Sequence, residues 1–381
     1  MFWSGKRTGG RRASRRRLSF EQCESRRLMA VTTSLSGGTL TINGDGTDDD
    51  VAIVGTANPG EIMVIGRNGT LVDGVAADMD GNSIVTIQGV TADLDATFFG
   101  GDDIINVDNV YLAGEMLIDT RTGEDSVVFG ATGVVSTAGD CRVTTGGGGE
   151  EVDVFRAESY KVFIGGNLNV NSGKSARLIG ASAAGAINVL EFAESYLDGV
   201  TSGNFIDVRP ASTMVNGIAL FRTSASSLIR VGMSTSVYID TCYSGGAIEV
   251  PGPPPSFVHP GPPGPTPPGK TITIARCQAD RISVRTPGGD DTVFVYGNSI
   301  VGTATNDPEL SIDTGDGNDN VTASYNVVLG DVFMSLAGLN DTVILVGNLV
   351  TGFASADGGT GGNLLILLGN QFGGSAFVQF Q

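Results

Sequence analysis

The side chains in this sequence that are best placed to do chemistry are acids set in glycine turns, and they recur. The pattern Gly-x-acid-x-aliphatic stands at Gly101-x-Asp103-x-Ile105, Gly123-x-Asp125-x-Val127, Gly148-x-Glu150-x-Val152 and Gly289-x-Asp291-x-Val293. Its fullest form is Asp313-Thr314-Gly315-Asp316-Gly317-Asn318-Asp319-Asn320-Val321. Weaker copies lie at Thr47-x-Asp49-x-Val51, Leu339-x-Asp341-x-Val343 and Gly361-x-Asn363-x-Leu365. The candidate ligating set is Asp102, Asp103, Asp125, Asp290, Asp291, Asp313, Asp316, Asp319 and Asp341, with Asp45, Asp48, Asp49 and Asp50 in a matching turn. Carboxylates crowded together repel one another until a divalent ion occupies them. The alternative is that Asp and Asn are good turn residues that bond backbone amides, and that the acids keep the chain soluble.

Other catalytic constellations are missing. The single histidine, His259, lies in a proline-rich stretch where nothing fixes a partner for it, which excludes a histidine-based triad or a zinc site. Neither a phosphate-binding Gly-x-x-x-x-Gly-Lys-Ser/Thr loop nor a Gly-x-Ser-x-Gly elbow occurs. The acids recur with the repeat instead of converging, and basic residues are sparse, so the expectation is a protein without catalytic activity. A polysaccharide-active β-helix enzyme is the distant alternative, because such folds do host carboxylate sites.

The acid position advances regularly, from Asp103 to Asp125 to Glu150 in the first half and from Asp291 to Asp319 to Asp341 to Asn363 in the second. A period near 22 with tolerated insertions suits one rung of a parallel β-helix, a β-solenoid of two or three short strands per rung. At a constant offset of seven after the acid position stand Asn298, Asn326, Asn348 and Asn370, which are predicted to stack with their amides bonding one to the next. Alternation such as Val293/Val295, Val343/Leu345 and Leu365/Leu367 marks the inward face. Residues 155–240 keep the alternation without the acids and read as degenerate rungs. Glycine, 57 of 381 residues, supplies the turns. The fold expected is all-β.

Charge divides the chain. Residues 1–30 carry nine Lys+Arg against two acids, a net of +7, while the remainder holds 14 basic and 39 acidic residues, a net of −25. A basic leader on an acidic body reads as a targeting segment, and a body of that sign would repel nucleic acid. No run of apolar residues is long enough for a transmembrane helix. Ten of the fourteen prolines fall between Pro251 and Pro268. The organisation expected is therefore 1–30 leader, 31–250 solenoid, 251–269 proline-rich linker or loop, and 270–381 solenoid. Cys141 alternates in phase with Val143 as a core residue; Cys242 and Cys277 flank the proline stretch, either as a pair or as two unconnected thiols.

Phe20-Glu21-Gln22-Cys23-Glu24-Ser25-Arg26-Arg27-Leu28-Met29-Ala30 resembles the N-terminal motif of the LEPR-XLL family of exported, repeat-rich proteins. Glu24, Arg26 and Leu28 match that motif, and Cys23, Ser25 and Met29 depart from it. The resemblance implies export and a secreted or cell-surface location. Gly315-Asp316-Gly317-Asn318-Asp319-Asn320-Val321 resembles the repeat of calcium-binding RTX proteins, in which turns of neighbouring coils share the ion through carboxylates and backbone carbonyls. Here the motif comes once per rung and not every nine residues, so a calcium site would have to form between rungs. Two functions are expected: a structural or adhesive surface repeat protein, or a calcium-stabilised binding module. The partner in either case is extracellular or on a cell surface, a polysaccharide or a protein.

Overall fold

The computed structural model describes residues 30–145, 154–157, 161–173, 175–192, 194–210, 217–232, 234, 236–251, 269–286, 288–302 and 309–380. The leader, the Gly148–Val152 copy of the repeat, and His259 with its neighbouring prolines lie outside these residues. All elements of the described residues are β-strands.

The strands wind into a parallel β-solenoid of three faces. One coil runs through Ile104–Asp108 on face 1, Val110–Leu112 on face 2 and Met116–Asp119 on face 3. The next coil repeats it as Ser126–Phe129, Val135–Thr137 and Cys141–Thr145. Each strand pairs in parallel with its counterpart one coil on, Ile105 opposite Val127, Val110 opposite Val135 and Met116 opposite Cys141. The face 1 ladder runs from Asp50–Gly55 to Leu364–Leu368. The proline-rich insertion does not break it. Val237 pairs with Ile272 and Ile248 with Ile282 across the gap, so 31–250 and 270–381 belong to one stack.

Strand alternation makes the core. Val293 and Val295, Val321 and Ala323, and Val343 and Leu345 stack inward and are buried. Each such aliphatic side chain contributes about 1.5–3 kcal/mol by leaving water. Phe129 and Phe155 meet edge to face inside adjacent coils, 5.2 Å between centroids. Between faces 1 and 2 the chain turns through one left-handed residue per coil, among them Gly130, Gly199, Arg222, Thr241, Arg276, Tyr325 and Gly347. At Gly347 a Cβ would also stand 2.8 Å from the exposed Tyr325 ring one coil earlier, so a larger residue there would have to displace that ring.

The period is not uniform. The coil that takes Ile105 to its partner Val127 is longer by three positions than the one that takes Ala176 to its partner Ser195. The difference lies in the turn from face 3 to face 1. The path from Met116 to Val127 is longer, by the same three positions, than the equivalent path from Leu168 to Ala176. The middle coils have thus dropped the acidic turn itself while keeping all three strands.

The two ends differ. An antiparallel meander of Asp50–Gly55, Glu61–Gly66 and Ser83–Gln88 closes the first coil. At the other end Leu367 is 45% exposed, where Leu345 beneath it is 3%.

Candidate functional site: the acidic corner

Among the described residues, the acids of the repeat signature sit at the corner between faces 3 and 1. In the signature Gly-x-Asp-x-Val, the acid shares the parity of the inward aliphatics that follow it, so Asp103, Ile105 and Val107 all point into the coil. The preceding residue points out. Each acidic pair is thereby split: Asp103 and Asp291 are fully buried, while Asp102 and Asp290 are exposed.

Two side-chain ladders result, and they run in opposite directions. In the inner one, each carboxyl accepts the backbone N–H of its counterpart one coil earlier. Asp49 N–H donates to Asp103 Oδ1 at 2.9 Å and Asp103 N–H to Asp125 Oδ1 at 2.9 Å. Further along, Asp291 donates to Asp319 at 2.8 Å, Asp319 to Asp341 at 2.9 Å, and Asp341 to Asn363 at 2.9 Å. In the outer ladder the later coil donates. Asp102 N–H bonds Asp48 Oδ1 at 2.8 Å, Glu124 bonds Asp102 at 2.9 Å, and Asn318 bonds Asp290 at 2.9 Å. A corner whose amides would otherwise lack strand partners is thus held by side chains of both neighbouring coils.

The electrostatics separate the two ladders. Burial raises the inner carboxyls, Asp103 to about 8, Asp319 to about 7, and Asp49 and Asp341 to about 6. Asp125 and Asp49 add repulsion at Asp103, while the amide N–H it accepts pulls the other way. The Thr314 hydroxyl draws Asp319 down but, like Asp319 Oδ2, completes no hydrogen bond. Outer Asp290 is held below its ordinary value by the backbone and side-chain amides of Asn318. Burial therefore shifts these inner acids toward the neutral form, whereas the Asn318 amides favour the anion of Asp290. One oxygen of Asp49, Asp103, Asp291, Asp319 and Asp341 remains buried without a partner.

Of the predicted ligating residues, Asp103 and Asp125 stack in one run of the inner ladder and Asp291, Asp319 and Asp341 in another. Asp102 and Asp290 stand outside. Asp313 ends its strand beside Arg285, with 3.3 Å between Nε and Oδ2, and Asp316 is exposed on the turn. Among the described residues no three His, Cys, Asp or Glu side chains converge in a metal-holding group.

The predicted asparagine row is present at the corner between faces 1 and 2. Asn298 Nδ2 donates to Asn326 Oδ1 at 2.9 Å, Asn326 to Asn348 at 3.0 Å and Asn348 to Asn370 at 2.9 Å. Each also donates to a strand carbonyl of the preceding coil, as Asn326 does to Val295 at 2.8 Å. The column continues through Cys277, whose N–H donates to Asn298 Oδ1, and Cys242, whose N–H faces Cys277 Sγ at 3.4 Å. Both are free buried thiols, as is the core residue Cys141. Comparison with known protein families, curated proteins and solved structures gave no match to this chain.

Proposed function

We propose that this chain is a structural or adhesive repeat protein, exported to the cell surface or beyond, that works as a rigid rod without catalytic activity. The observation that carries this reading is the double ladder: the pairs Asp102/Asp103 and Asp290/Asp291 each give one carboxyl to the coil before and one to the coil after. The chemistry that recurs with the repeat is committed to holding the stack together. The exposed anions leave the rod strongly acidic, which opposes lateral association. Labelling of intact cells with an antibody against the purified protein tests the location. Label on the outer surface or in the medium is expected; label confined to the cytoplasm overturns the reading.

A second reading is favoured by one observation, the row of buried carboxyl oxygens that have no partner. In it, calcium ions lie between coils and replace the protons that burial otherwise retains. Calorimetric titration of the purified protein with calcium alone tests it: saturable heat that disappears in Asp319→Asn supports the ion, and no heat removes it.

A further inference from the structure

The middle coils, which lack the acidic turn, differ from the rest in charge, surface and shape. Residues 154–232 carry seven basic against five acidic residues, leaving 7 basic against 34 acidic in the rest of the chain after residue 30. An electropositive island thus interrupts an acidic rod. Arg209, Arg222, Arg230 and Arg276 each bind a carboxylate of the same or an adjacent coil. Arg156 and Arg177, stacked one coil apart on face 1, form no ion pair with the described side chains, and Glu194 holds the position two before Tyr196 on the same face.

The outward column of face 1 then reads Arg156, Arg177, Tyr196, Ala219, Tyr238 and Thr273, each in register with the next. Gly217 and Ala219 leave a notch between the two tyrosines, and the result is a groove of about 460 Å³ open along the face. The Phe221 ring lies between the tyrosines, 5.6 Å from Tyr196 and 5.2 Å from Tyr238, and the Arg177 guanidinium lies 5.8 Å over Tyr196. Coils repeat at the strand spacing of ~4.8 Å, so the tyrosines stand about 10 Å apart along the axis. That distance matches the advance of one disaccharide in an extended β-linked polysaccharide.

We infer that this groove binds an acidic polysaccharide lying along the rod, with pyranose rings against Tyr196 and Tyr238 and a uronate carboxylate on Arg156 and Arg177. Aromatic faces suit the apolar side of a sugar ring, and an arginine fork suits a carboxylate. The paired arginines favour this ligand over a neutral glycan. The surrounding acidic rod repels polyanions everywhere else, which confines the contact to the island. The inference deepens the adhesive part of the proposed function, but it concerns the purified protein and fails or stands apart from its location.

The test is affinity electrophoresis and calorimetry of the full chain with β-1,4-linked polymannuronate oligomers, a neutral β-glucan oligomer and single-stranded poly(dT). Polymannuronate is expected to bind, more weakly as salt rises. Arg156→Gln with Arg177→Gln is expected to weaken it roughly tenfold or more, as loss of charge-assisted hydrogen bonds does. Ala219→Trp, which fills the notch on an outward position, abolishes binding, whereas Arg142→Gln on face 3 leaves it unchanged. Melting curves of the variants confirm folding. Equal affinity in the double arginine variant, no binding of polymannuronate, or tighter binding of poly(dT) or the neutral glucan would each overturn the assignment.

Discussion

The inner acid ladder makes a sharp prediction at Asp319. Burial moves its carboxyl from 3.8 to about 7, so the folded protein keeps a proton that the unfolded chain gives up. Stability from this group is complete below about pH 4 and is lost as pH rises through about 7. At about 1.4 kcal/mol per pH unit, Asp319 alone would lose about 4 kcal/mol. Asp291 and Asp341 share the ladder and relax with it, so ~2 kcal/mol is the expected loss between about pH 5 and pH 8. Asp319→Asn removes the ionisation and keeps the acceptor for the Asp291 N–H. The replacement has a precedent in this chain, because Asn363 occupies the same column and its Nδ2 donates to Gly358 O at 2.6 Å. Urea unfolding of both proteins across that pH range is the assay. The advantage of the variant over the native sequence should grow by ~2 kcal/mol between about pH 5 and pH 8. A difference that stays constant with pH would refute the argument that the buried carboxyl carries a proton.

Three further outcomes are expected. Asn326→Ala strands the Asn298 amide groups and the Val295 carbonyl, and should cost about 3 kcal/mol in urea unfolding, against about 1 kcal/mol for Asn370→Ala at the open end of the row. At Gly123, whose φ is 147° and where a Cβ would stand 1.6 Å from the Gly101 carbonyl oxygen, Ala should cost about 3 kcal/mol or more by thermal melting. Cys141, Cys242 and Cys277 should resist a thiol reagent until the protein unfolds, and burial pushes the Cys141 thiol up to about 12; rapid labelling mapped to any of these three in the native protein would contradict their placement.

Much of this architecture is written in residue spacing. The inward parity of Val293 and Val295 and the constant offset from acid to asparagine both survive as local patterns, so the coil and the asparagine row follow from them. The burial of Asp103 was legible as well, since Gly-x-Asp-x-Ile puts the acid in phase with Ile105. What spacing hides is anything set by the stacking itself. The opposed direction of the two ladders depends on which way each corner amide points, which no side-chain pattern records. The shorter middle coils are obscured because what they lack is the landmark by which coils are counted. Arg177, Tyr196, Ala219 and Tyr238 are unevenly spaced along the chain, and only the strand register brings them into one column.

In the ladder arrangement the acidic turns hold coils together through their own hydrogen bonds, with no ion between them. Thermal melting in millimolar calcium, in chelator, and in sodium chloride of equal ionic strength separates this from metal binding. A metal bound only by the folded form would add about 2.7 kcal/mol at a hundredfold excess over its dissociation constant. The ladder account predicts that the three melting curves coincide; a melting temperature raised by calcium and lowered by chelator would contradict it.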